Sequence, residues 1–155
     1  PASPFIMGIT RVLVYVAAFL AFTSELSALL AIWSAVMLFY IAGLTSIAKT
    51  EHGPSMARYW PVAALFPAVV VAMIDNPSLL TAALSVVFIG WVIYCLSFVY
   101  RKEGKSIGGA IGRLIAGVSL LDALLLASRD ESTGVIIALI CFGLTIFLQR
   151  YVRGT

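Results

Sequence analysis

The chain has 155 residues, of which 62% are hydrophobic and only 11% charged, and its mean hydropathy is +1.08. A soluble domain carries about 25% charged and about 45–50% apolar residues, so this balance excludes an ordinary water-soluble fold and assigns the chain to a membrane. The net charge of +3 does not point to nucleic acid, because no basic cluster runs beyond "RKEGK" at 101–105 and such binding needs a basic face.

A membrane-spanning helix needs about 20 mostly apolar residues. By that criterion the sequence predicts an all-α, polytopic bundle of about six transmembrane helices in a single domain covering 1–155. The spans are 5–22, 27–48, 58–74, 79–100, 107–128 and 133–150. The opening, "PASPFIMGIT", has no initiator Met and no basic n-region, so it reads as part of a span and not as a signal peptide. Either a Met has been trimmed or more chain lies upstream. Arg11 stands about six residues into this first span, roughly 9 Å deep.

The second span runs into "GLTSIAKTEHG" at 43–53, where hydroxyls, a lysine, a glutamate and a histidine gather within a few positions. Thr45 and Lys49 are four residues apart and share a helix face. Glu51 and His52 follow at its end, and Pro54 stops the helix. A lysine in the last turn complements the helix dipole, so the plain reading is a well-formed polar helix end. His52 is the chain's only histidine, and with one glutamate beside it falls short of the three or four ligands of a zinc site.

The third span contains Pro61 and Pro67, and a single kinked helix is expected because membrane helices tolerate proline when neighbours re-satisfy the backbone. The fourth, "LLTAALSVVFIGWVIYCLSFVY", is uninterrupted. Its Cys95, like Cys141 in the last span, reads as a small buried hydrophobe. The fifth opens on "SIGGAIG", where Gly108 and Gly112 have the small-xxx-small spacing that lets helices approach. Without a Walker lysine or a preceding strand, it is no phosphate loop. Arg113 lies about 9 Å into this span, and Asp122 nine residues further on. That spacing sets the two on opposite faces, roughly 13 Å apart, so they do not pair.

Charges inside spans are costly and mark function by default. Arg11 and Arg113 either snorkel to the headgroups on long stems or line a cavity open to the cytoplasm and bind an anion there. Asp122 is assigned a structural hydrogen bond to a neighbouring helix. With six spans, Arg11, Lys49, Arg58, Arg101, Lys102, Lys105, Arg113, Arg150 and Arg153 fall on the side of both termini, and only Arg129 on the other. Short loops rich in Lys and Arg stay cytoplasmic. The expected location is therefore a multi-pass, bacterial-type inner membrane with both termini cytoplasmic. Tyr59, Trp60, Tyr100 and Tyr151 fit a cytoplasmic aromatic belt.

At 40–51, "YIAGLTSIAKTE" resembles the cytoplasmic end of a central helix in UbiA-type intramembrane prenyltransferases. "FIMGITRVLVY" at 5–15 is similar to the opening of the second half of some members, and "GRLIAGVSLLDALLLA" at 112–127 and "LTIFLQRYVRGT" at 144–155 resemble their last two segments. The likeness covers nearly the whole chain in the same order. It implies a cavity facing the cytoplasm that binds an isoprenyl diphosphate through Mg²⁺ and basic residues, with the prenyl group passed to a lipophilic acceptor. By the same resemblance the diphosphate would rest on Arg11, Lys49, Arg58 and Arg113, with Glu51 at the metal. The family's N-terminal half and its first Asp-rich motif are missing here, and the second motif is reduced to Glu51. Magnesium asks for an octahedral set of hard oxygens, so the chain is expected to be the C-terminal half of such an enzyme or the partner of a separate N-terminal chain. The alternative is a non-catalytic membrane subunit of a larger complex, a scaffold or a lipid- or quinone-binding protein that kept the fold and lost the chemistry.

Overall fold

The computed structural model describes residues 3–20, 28–49, 60–100, 107–149 and 151. Everything regular among them is helix, in the order α1 (Ser3–Leu20), α2 (Ala28–Lys49), α3 (Trp60–Ala63), α4 (Pro67–Asp75), α5 (Leu79–Tyr100), α6 (Ile107–Ser128) and α7 (Ser132–Leu148). Three of these, α2, α5 and α6, are long and apolar enough to cross a membrane, and α7 is a shorter apolar helix. The chain divides into two compact units, residues 1–68 and 69–155.

In the first unit α1 packs on α2, and α2 also meets α3. The buried side of α2 is read from its spacing: Leu30, Trp33, Met37, Tyr40, Leu44 and Ile47 recur at alternating steps of three and four residues, which is one face of a helix. Trp33, Met37 and Tyr40 are each 1% exposed. On α1, by contrast, Ile6, Ile9, Leu13 and Val14 are all exposed, an apolar outer face that water would penalise and lipid would not.

The proline-bearing region departs from the expected single kinked helix. It forms two helical pieces, α3 and α4, separated by a turn at 64–66. Leu65 N donates to Val62 O and Phe66 N to Ala63 O, both tight three-residue steps that close α3. The reason is steric. Pro67 disfavours helical backbone at Phe66 and has no N–H to give, yet it suits the first position of a new helix, where no donor is needed. Pro61 likewise sits in the first turn of α3.

In the second unit α6 lies between α5 and α7. Along the buried face of α5, Thr81, Ser85, Phe88, Val92, Cys95 and Val99 again alternate in steps of four and three, with Leu84 and Leu96 flanking them. Its opposite side carries exposed Val86, Val87, Ile93 and Tyr94. An apolar helix with no polar face suits a protein core or a membrane. The turns are built by local chemistry. Pro77 follows α4, and the Ser78 hydroxyl accepts from Thr81 N at 3.2 Å, capping α5. After α6, Asp130 N reaches Ala127 O and Glu131 N reaches Leu126 O. Asp130 takes a left-handed backbone, φ 58°, completing a Schellman-type stop at a position where glycine is usual.

Candidate functional site

The antiparallel hairpin of α6 and α7 gives the second unit two ends with different polar chemistry. At one, the turn after α4 meets the turn after α6. Arg129 Nε stands 3.4 Å from Asp75 Oδ2, and Asn76 Nδ2 donates to Asp130 Oδ2 at 3.0 Å. Asp75 closes α4 and the other three lie in the turns, and the pairing of opposite charges is the ordinary surface arrangement.

Arg113 defines the other end. It is half-buried on α6, and its Nη1 donates to Gly109 O at 3.2 Å, one turn back along its own helix. Its guanidinium carbon lies 4.4 Å from the centroid of the Phe98 ring on α5, a cation–π distance. Among the described residues no carboxylate pairs with it. Two other side chains donate to the same stretch of α6 backbone: Trp91 Nε1 to Arg113 O at 3.0 Å and Gln149 Nε2 to Gly112 O at 2.8 Å. The rings form a chain along α5. Trp91 stands edge-on to Phe142 of α7 at 4.8 Å and tilted against Tyr94 at 5.7 Å, and Tyr94 stands edge-on to Phe98 at 5.1 Å.

The residues singled out in the sequence are spread between the units. Arg11 is exposed on α1. Lys49 is the last residue of α2, and Glu51 and Arg58 lie outside the described residues. Thr45, on the same face as Lys49, spends its hydroxyl on Ile41 O at 2.7 Å, so it serves the helix that carries it. Asp122 is half-buried on α6 and is not without a partner. Among the described residues no three His, Cys, Asp or Glu side chains gather where a metal ion could be held.

Sequence reasoning passed over Trp91, Phe98 and Gln149 as contributors to this end. The signal available was the spacing of Trp91, Tyr94 and Phe98, three and then four residues apart, which aligns them on one helix face. That Phe98 and Trp91 meet Arg113 was not legible, since the contact joins two helices. Elsewhere, Trp33 Nε1, Ser34 Oγ and Ser85 Oγ are buried with no hydrogen-bond partner among the described residues, each a cost in an apolar interior.

Comparison with protein-family models, curated proteins and solved structures finds no match to the chain.

Proposed function

We propose that this chain is an integral, multi-pass membrane protein of six spans with cytoplasmic termini, built on the scaffold of UbiA-type intramembrane prenyltransferases. In this reading it is the C-terminal part of such an enzyme, or the partner of a separate N-terminal chain, and serves transfer of an isoprenyl group from a diphosphate to a lipophilic acceptor. The supporting observation is α2. The segment that carries the resemblance, 40–51, is helical as far as Lys49 and buried from Tyr40 to Thr45, so its polar end follows directly on a packed apolar helix.

Lys49, Arg58 and Arg11 supply positive charge for the diphosphate, an electrostatic role that grows as the leaving group takes up charge. Arg113, which the resemblance groups with them, stands on α6 of the second unit. Glu51 alone does not make an octahedral oxygen set, so this chain by itself does not fit a magnesium centre and depends on carboxylates from elsewhere. Binding of an isoprenyl diphosphate to the purified chain, with and without Mg²⁺, tests the reading. Replacing Lys49 with Ala should weaken binding by about tenfold or more, the scale of one lost hydrogen bond to a charged group. Unchanged affinity would remove Lys49 from the site. Cysteine labelling at position 103 tests the topology, and reaction from outside the cell would overturn it.

The second reading, a non-catalytic subunit that binds a quinone or other lipid, has its own support. Among the described residues, the Trp33 Nε1–H is buried without an acceptor, and the Ser34 hydroxyl next to it in the sequence is likewise unpartnered. A ligand carbonyl against α2 would satisfy that donor. Loss of quinone-analogue binding in Trp33→Phe, with diphosphate binding never observed, would favour this reading over the first.

A further inference from the structure

We propose that the α5–α6 face around Arg113 seats an anionic membrane phospholipid, with the lipid phosphate on the guanidinium and an acyl chain along Tyr94 and Trp91. This assigns Arg113 to a lipid and not to the isoprenyl diphosphate, and it stands without the prenyltransferase reading.

Four observations carry it. The first is charge. Arg113 is half-buried in an apolar helix and no described carboxylate neutralises it, whereas the unit's other described arginine, Arg129, has Asp75. A cation at such a position is costly unless an anion joins it. The second is depth. Arg113 begins about 9 Å into α6 but bonds back to Gly109, only two residues from the helix start at Ile107, about 3 Å along the axis. Its charged head is therefore lifted to the level of the helix ends, where lipid phosphates lie. The same is true of its ring partner, since Phe98 is two residues from the end of α5.

The third observation is geometry. The guanidinium carbon lies over the Phe98 ring, and one of its five N–H groups is given to Gly109 O. A planar guanidinium presents a fork of N–H donors that matches two phosphate oxygens, which an ammonium does not. The fourth is lateral access. Tyr94 is 49% exposed and Val87, one turn from Trp91 on the same face, 51% exposed, so the ring chain from Phe98 towards Trp91 opens sideways. An acyl chain approaching from the bilayer can follow it, beginning at Phe98 beside the phosphate.

The test uses the full chain in vesicles that contain brominated phosphatidylglycerol or, in parallel, brominated phosphatidylcholine at equal mole fraction. The readout is quenching of the Trp91 component, obtained by subtracting the emission of Trp91→Phe. Phosphatidylglycerol should be preferred at this site by about fivefold, the factor one basic residue supplies near anionic lipid. Arg113→Gln should bring the two lipids level, and Arg113→Lys should keep part of the preference. Should Arg113→Gln lose its helical circular dichroism, Phe98→Leu takes its place, because loss of the ring frees the guanidinium and should also lower the preference. Equal quenching by both lipids in the native chain overturns the proposal, as does an undiminished preference in Arg113→Gln or, where that variant does not fold, in Phe98→Leu. Added isoprenyl diphosphate should leave the quenching unchanged. If it displaces the phosphatidylglycerol, Arg113 binds the diphosphate and the lipid seat falls, while the prenyltransferase reading stands.

Discussion

Arg129 and Arg113 belong to the same helical unit and reach opposite solutions. Arg129 lies in a turn between helices and pairs with an aspartate that ends α4, Asp75. Arg113 lies within an apolar helix and finds a ring and a backbone carbonyl. The difference follows from position. In a turn the sequence can place acids at no desolvation cost, and the resulting exposed ion pair contributes only about 0–1 kcal/mol. Within a span, a partner carboxylate would itself need burying, so a cation is better accommodated by polarisable, uncharged groups and by reaching back towards the helix end.

Substitutions at the two ends can break this contrast, beginning with packing. Gly134, beside the Arg129 turn, would place a Cβ 3.1 Å from both Leu126 methyl carbons. Gly134→Leu should destabilise the unit by about 1–3 kcal/mol through overpacking, measured by thermal or denaturant unfolding in detergent. Gly112, at the Arg113 end, would bring a Cβ no nearer than 3.8 Å to Gln149, so Gly112→Ala should be close to neutral. Equal losses at the two glycines would mean that both ends are packed alike.

Asp130 comes next. Its left-handed backbone and its bond from Asn76 are both lost or strained in Asp130→Ala, with an expected cost of about 1–2 kcal/mol. Asp130→Gly relieves the backbone and should recover part of that loss. If the glycine variant is the less stable of the two, the backbone conformation is not what limits the turn.

The hydrogen bond at the Arg113 end is weaker. Trp91→Phe keeps a ring against Phe142 but removes the donor to Arg113 O. Inter-helix hydrogen bonds in membrane proteins average about 0.6 kcal/mol, so the loss should be of that order and should not depend on salt. The smallest effect belongs to Asp75→Asn, at or below about 0.5 kcal/mol and shrinking as salt rises. A larger or salt-insensitive loss would show that the Asp75–Arg129 pair is more than a surface contact.

Much of the helix layout was legible because it rests on local rules. The fourth and fifth expected spans coincide with α5 and α6, and the second matches α2 to within one residue, since an uninterrupted apolar run bounded by Pro, Ser or charged residues has few alternatives to a helix. The region around Pro67 was legible only in part. That proline interrupts a helix is a property of its ring, but whether the chain bends or breaks depends on how Leu65 and Phe66 close their own turn. At the Arg113 end, the spacing of Trp91, Tyr94 and Phe98 was in the sequence, and the meeting of Phe98 with an arginine fifteen residues further on was not.

By itself, then, the sequence determined the apolar character of the chain, the positions of its long helices, and which residues are out of place in them, Arg11, Arg113 and Asp122 among them. Hydrophobic length and helical periodicity depend on neighbours along the chain, which are visible there. Only the tertiary structure decided what Arg113 touches, that Asp75 and Asn76 clasp Arg129 and Asp130, and that Asp130 turns left-handed. These depend on which helix faces meet, and that choice is made by packing across the fold.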